Sequence, residues 1–175
     1  MPFHSSAFTI RSNGGLLRVL ISDIDVHVPG KHEHYSIKAI WDTGATGSAI
    51  STNVARQLGL IPTGIAKVNT AGGIVNQSTY TIDIGLPNKV IIQGIVATEI
   101  DALTGGCDAL IGMDVINLGD LSITNHNGIT CMSFRVPSSH EIDYVKNPSD
   151  GITPIKNVSS KNSGSNFTPP KKKRK

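Results

Sequence analysis

The amino-acid sequence predicts a mostly β protein organised as a single domain with one or two short helices. Three observations lead there. Apolar and β-branched residues recur with a period of two in several segments, Gly, Pro and Asn separate those segments, and only two short stretches carry helix signals. With 175 residues and 38% hydrophobic content, the chain is long enough for one ordinary core and too short for two comfortable ones.

Taken in order, residues 1–9 read as an N-terminal extension. They contain no basic start followed by an apolar run, so no secretory signal is expected. Residues 16–28 alternate through Val19, Ile21, Ile24, Val26 and Val28, and residues 35–41 repeat the pattern through Tyr35, Ile37, Ala39 and Trp41. The polar run Pro29-Gly30-Lys31-His32-Glu33-His34 lies between them, so the two segments form a hairpin. A helical turn follows at residues 53–58, with Ser51, Thr52 or Asn53 placed to cap it and Gly59 placed to end it. Residues 66–70, 78–84 and 89–96 read as strands, and 113–118 as a second short helix. Two last strands, at 120–124 and 129–134, flank the turn Asn125-His126-Asn127-Gly128.

From Ser138 the composition shifts to Ser, Asn, Lys and Pro, too poor in large apolar residues to offset ordering entropy. Residues 138–175 therefore read as a disordered polar tail ending in Lys171, Lys172, Lys173, Arg174 and Lys175. Those five account for the excess of basic residues, because residues 1–170 hold 11 basic against 13 acidic side chains. Any nucleic-acid or import-receptor contact falls to this cluster, and a weak one is expected there. No apolar run approaches the roughly 20 residues needed to cross a bilayer, so a soluble, cytoplasmic protein is expected, and a nuclear one where the source is eukaryotic. Cys107 and Cys131 are expected as reduced thiols. His32-Glu33-His34 has no third ligand nearby, and Thr104-Gly105-Gly106 precedes a strand and not a Lys-Ser/Thr helix, so neither metal nor cofactor is expected.

The chemistry-bearing run is Trp41-Asp42-Thr43-Gly44-Ala45. A carboxylate at the end of an apolar strand is held rigidly, and Gly44 carries no side chain to keep its N–H from that carboxylate. The bland alternative is an Asp turn bonding its own backbone. Hydrolysis by an activated water needs one carboxylate to take a proton while another gives one, and two held close share a proton. Asp83, Asp101, Asp108, Asp114 and Asp120 lack a following Thr/Ser-Gly. The second carboxylate is therefore expected from a second copy, in a homodimer.

The segment Ala39-Ile40-Trp41-Asp42-Thr43-Gly44-Ala45-Thr46-Gly47-Ser48-Ala49-Ile50 resembles the active-site segment of the retropepsin family, the single-domain aspartic peptidases typified by retroviral proteases. Arg56-Gln57-Leu58-Gly59-Leu60 and Cys107-Asp108-Ala109-Leu110-Ile111-Gly112-Met113-Asp114 are similar to later landmarks of that family. The resemblance implies a closed-barrel-like acid-protease fold over residues 10–137 and an aspartic endopeptidase acting on peptide substrates. Asp42 is implied as the catalytic carboxylate, positioned by Thr43, Gly44 and Ala45 and supported from behind by Leu110, Ile111 and Gly112. Ala71, Gly72, Gly73 and Ile74 fall where the family carries a hairpin flap over substrate, although no aromatic sits at the tip. A catalytically silent dimerisation or peptide-binding module is the competing reading. Asp114 reads as a helix-start residue.

Overall fold

The computed structural model describes residues 6–70, 73–101 and 103–147. Two compact units divide the chain, Met1–His140 and Glu141–Lys175, and among the described residues every strand and helix belongs to the first.

The expected hairpin joins β2 (Ile21–His27) to β3 (His34–Trp41), paired antiparallel from Ile21↔Ile40 to His27↔His34. Its alternation is physical: Ile24, Val26, Ile37 and Ala39 point into the core while Asp23 and Lys38 face outward. Residues 16–20, read as part of this strand, stand outside it, and Leu16 is 61% exposed. After β3 come β4 (Ala49–Ser51), α1 (Thr52–Gln57), β5 (Gly64–Thr70), β6 (Gly73–Gly85), β7 (Ile91–Ile100), β8 (Ala109–Ile111) and α2 (Met113–Ile116). Ser51 caps α1 by accepting the Val54 N–H, and Gly59, at φ +57°, turns the chain out of it.

The larger sheet runs β2-β3-β8-β4-β7-β6-β5, and an added β2–β6 pairing closes most of it into a barrel. Closure has a steric condition. At Gly85 a side chain would meet His27 Nε2 at 3.0 Å, so the strand that closes the barrel carries none there. Ile82, Ile84, Ile95, Ala97 and Ile111 fill the interior.

A second sheet orders as β1-β10-β9, all antiparallel, from β1 (Ser6–Arg11), β10 (Cys131–Val136) and β9 (Asp120–Thr124). Strand β1 begins inside the segment expected to be an extension, because Phe8 and Ile10 alternate with polar neighbours and pack on the core. Phe8, Trp41 and Phe134 form an aromatic triplet with centroids 5.0–6.1 Å apart. Between β9 and β10 the turn uses left-handed backbone at Asn127 and Gly128.

The segment expected to begin the tail is held at its start. Ser138 Oγ, the Arg135 guanidinium and the Ser139 N–H all donate to Asp120, and they hold its carboxyl well below the usual carboxylate range. In the second unit Lys146 bridges Glu141 and Asp143. The basic cluster Lys171 to Lys175 lies outside the described residues. Among the described residues no helix is long and apolar enough to cross a membrane, and Cys107 and Cys131 are free thiols.

Candidate active site

Asp42 follows directly on β3, where Trp41 anchors the strand: its indole N–H donates to the buried Ser22 hydroxyl at 2.9 Å, and its backbone N–H donates to Leu20 O. The Asp42 N–H then donates to Ile111 O at 3.0 Å, which ties the start of the loop to β8. The side chain is bonded from its own turn, since Gly44 N–H reaches Asp42 Oδ1 at 2.8 Å. A Cβ on residue 44 would sit 3.1 Å from that oxygen, tighter than an ordinary contact. Glycine lets the amide approach.

Strand β8 is threaded between the two strands that flank the loop. It pairs parallel with β3 (Ile40↔Leu110, Trp41↔Ile111) and antiparallel with β4 (Ala49↔Leu110). Leu110, Ile111 and Gly112 therefore run behind residues 42–48. The packing leaves no room at Gly112: a Cβ there would fall 2.5 Å from the Gly47 carbonyl carbon and oxygen. Met113 N–H donates to Ala45 O at 2.9 Å, clamping the middle of the loop.

The far end of the loop is fixed by a contact that the sequence did not disclose. Ser48, 2% exposed, donates its N–H to Asp114 Oδ2 at 3.0 Å and its hydroxyl to Asp114 Oδ1 at 2.8 Å, while Ser48 Oγ accepts the Gly112 N–H at 3.1 Å. Asp114 does bond a helix-start amide, Val115 N–H at 3.0 Å, as read from the sequence. Its second task is to hold the loop. The only local sign was Ser48 as a polar residue leading into the apolar Ala49-Ile50.

Thr43 is exposed, and its hydroxyl has no partner among the described residues. Opposite the loop, β5 and β6 form a hairpin in register from Gly64↔Thr79 to Thr70↔Gly73, with Gly73 at φ +118°. Of the expected flap residues, Ala71 and Gly72 lie outside the described residues, while Gly73 and Ile74 start β6 and Ile74 is 72% exposed. Ala66 and Val68, on the half-buried face of β5, share a cavity of about 530 Å³ with Gly44, Ala45, Gly47, Ala49 and Leu110. Thr46, Ser48, Lys67 and Thr98 add polar groups to its wall, so the arrangement offers a fixed carboxylate turn beside a cleft of mixed polarity.

A sequence model of the family described as "gag-polyprotein putative aspartyl protease" matches residues 25–118, more than half of the chain. The chain belongs to this family. The matched span contains the Asp42 turn, the β5–β6 hairpin and the β8–α2 support of this aspartyl protease family member. Among solved structures, a retropepsin-like aspartic protease from Rickettsia conorii is similar at 15% identity and TM-score 0.50, over 78% of this chain and 98% of that one. That likeness is one of fold. Lower-scoring similarity extends to the EIAV protease complexed with the inhibitor HBY-793 (15% identity, TM-score 0.44, 58% and 88% covered). The retroviral protease-like domain of Ddi1 from Leishmania major is similar at 20% identity and TM-score 0.42, with 72% and 99% covered. No curated protein matches the chain by sequence. The fold is thus the mostly β, retropepsin-like one, in an aspartyl protease family member.

Proposed function

We propose that the chain is an aspartic endopeptidase in which Asp42 from each of two copies activates one water against a peptide carbonyl. One observation carries this reading: the Asp42 carboxylate is held by the Gly44 amide in a loop pinned on three sides, next to a cleft bounded by the β5–β6 hairpin. Two carboxylates brought together share a proton, so one serves as base and the other as acid. Thr43, with its hydroxyl turned to solvent, bonds across the two-fold axis and holds the paired loops. Gly44 and Ala45 form the floor, and the hairpin tip at Ala71, Gly72, Gly73 and Ile74 closes over an extended peptide, expelling water. The reaction routes through side chains and water alone.

The test is turnover of a peptide library by the purified chain at acidic to neutral pH, repeated with Asp42→Asn and Asp42→Ala. Wild type is expected to cleave with a bell-shaped pH profile, and both variants to lose roughly a thousandfold or more while still dimerising. Cleavage that survives Asp42→Ala would sink the proposal. Peptide binding without turnover, unchanged in Asp42→Asn, would instead establish a silent binding module.

A further inference from the structure

The turn end of the β2–β3 hairpin carries two side chains that neither the core nor the Asp42 loop uses. In the sequence His34 stands in the run His32-Glu33-His34 with no third ligand nearby, and the fold changes its company. His27 lies directly opposite it as the last cross-strand pair of the hairpin, with ring centroids 5.2 Å apart and planes tilted by 34°. Neither imidazole has a hydrogen bond or an ion pair among the described residues, so their nitrogens are uncommitted. His34 is exposed and His27 half-buried, which leaves the pair open to solvent. The surroundings favour a cation. On its other side His27 is matched with Asp83 of β6, a carboxylate only 8% exposed that has no basic partner among the described residues. The other register neighbours on this outer face are Asp25, Ser36 and Gly85, with no Lys or Arg among them. Gly85, beside His27 Nε2, has no side chain to stop the ring from turning.

We propose that His27 and His34 together bind one divalent transition-metal ion of the class that favours imidazole, such as zinc. The spacing suits such an ion. At about 2.1 Å from one nitrogen of each ring and at a tetrahedral angle, it would set the centroids roughly 5 Å apart. The observed 5.2 Å therefore asks for rotation of the two rings and no movement of the strands. Among the described residues no third His, Cys, Asp or Glu completes the set, so water fills the remaining positions and the ion exchanges readily. Its effect is mechanical. An ion bridging the pair ties β3 to β2 at the residue where β2 also meets β6, in the pairing that closes the barrel. His34 begins β3 and Asp42 follows its end, so the ion sits apart from the proposed catalysis and does not depend on it.

The experiment is calorimetric titration of Zn²⁺ into the untagged, chelator-treated full chain, with the melting temperature read in parallel. Wild type is expected to take up one equivalent with a Kd on the order of 10 μM, and to melt a few degrees higher in about 1 mM Zn²⁺. His27→Gln and His34→Gln are each expected to weaken binding roughly tenfold or more and to erase the thermal shift, with the circular dichroism spectrum unchanged. With Cu²⁺ as a spectroscopic probe, electron paramagnetic resonance is expected to show two imidazole nitrogens in wild type and fewer in either variant. His126→Gln and Asp42→Asn are expected to bind Zn²⁺ as wild type does. No saturable binding below about 1 mM Zn²⁺, or binding that either His27→Gln or His34→Gln leaves intact, would overturn the proposal. Binding lost in His126→Gln or Asp42→Asn would overturn it equally, by moving the ion to another site.

Discussion

The Asp42 loop and the β5–β6 hairpin face one cleft and are held by opposite means. Between Asp42 and Ser48 the loop is bonded to Ile111, Met113, Gly112 and Asp114, all far along the chain, and its last residue is buried. The hairpin from Gly64 to Thr79 is held chiefly by its own ladder, and Ile65 and Ile74 stand 78% and 72% exposed. A group that must present one geometry to a reacting carbonyl is over-determined, whereas a cover that must admit and release peptide is not.

Substitutions can break that contrast at graded cost. The largest effect is expected from Gly112→Ala, since the new methyl would collide with the Gly47 carbonyl and no flexible side chain is there to yield. Stability should fall by about 3 kcal/mol or more, read from urea denaturation, and any peptidase activity should vanish with it. Next comes Ser48→Ala, which strips the Gly112 N–H of its acceptor and Asp114 of a donor. A loss of roughly 1–3 kcal/mol is expected, with kcat falling more than KM rises because Asp42 is displaced. Equal stability in the Ser48→Ala and wild-type chains would show the clamp to be idle. Smallest is Val68→Ala on the hairpin: stability should change by under about 1 kcal/mol and KM should rise a few-fold at constant kcat, as befits a wall of the cleft. A fall in kcat there would blur the distinction between the two regions.

What the sequence disclosed divides along the same line. Local chemistry was legible: the β2–β3 hairpin from period two and Pro29-Gly30, a cap among Ser51, Thr52 and Asn53 that the structure assigns to Ser51, and the Asp42-Thr43-Gly44 turn. Leu110-Ile111-Gly112 was legible through resemblance to a family pattern, not through any propensity of its own. Strand β1 was missed because six residues with only Phe8 and Ile10 facing inward give too short a signal, and it exists only because β10 accepts it. The Ser48–Asp114 clamp was missed because no rule of local spacing links residues so distant in the chain. Asp114 did its expected work at the head of α2, and that sufficient explanation hid the second role.

The threading of β8 between β3 and β4 also sets a timetable. Ala39 meets Ala109 and Trp41 meets Ile111 in a parallel pairing, which closes a long loop before it returns any energy. The β2–β3 hairpin can form from neighbours, but the Asp42 turn has nothing to lean on until residues 109–114 arrive. On a growing polypeptide those residues are made only after the barrel's other strands have been synthesised, so the nascent chain carries its acid in an unsupported turn throughout that interval.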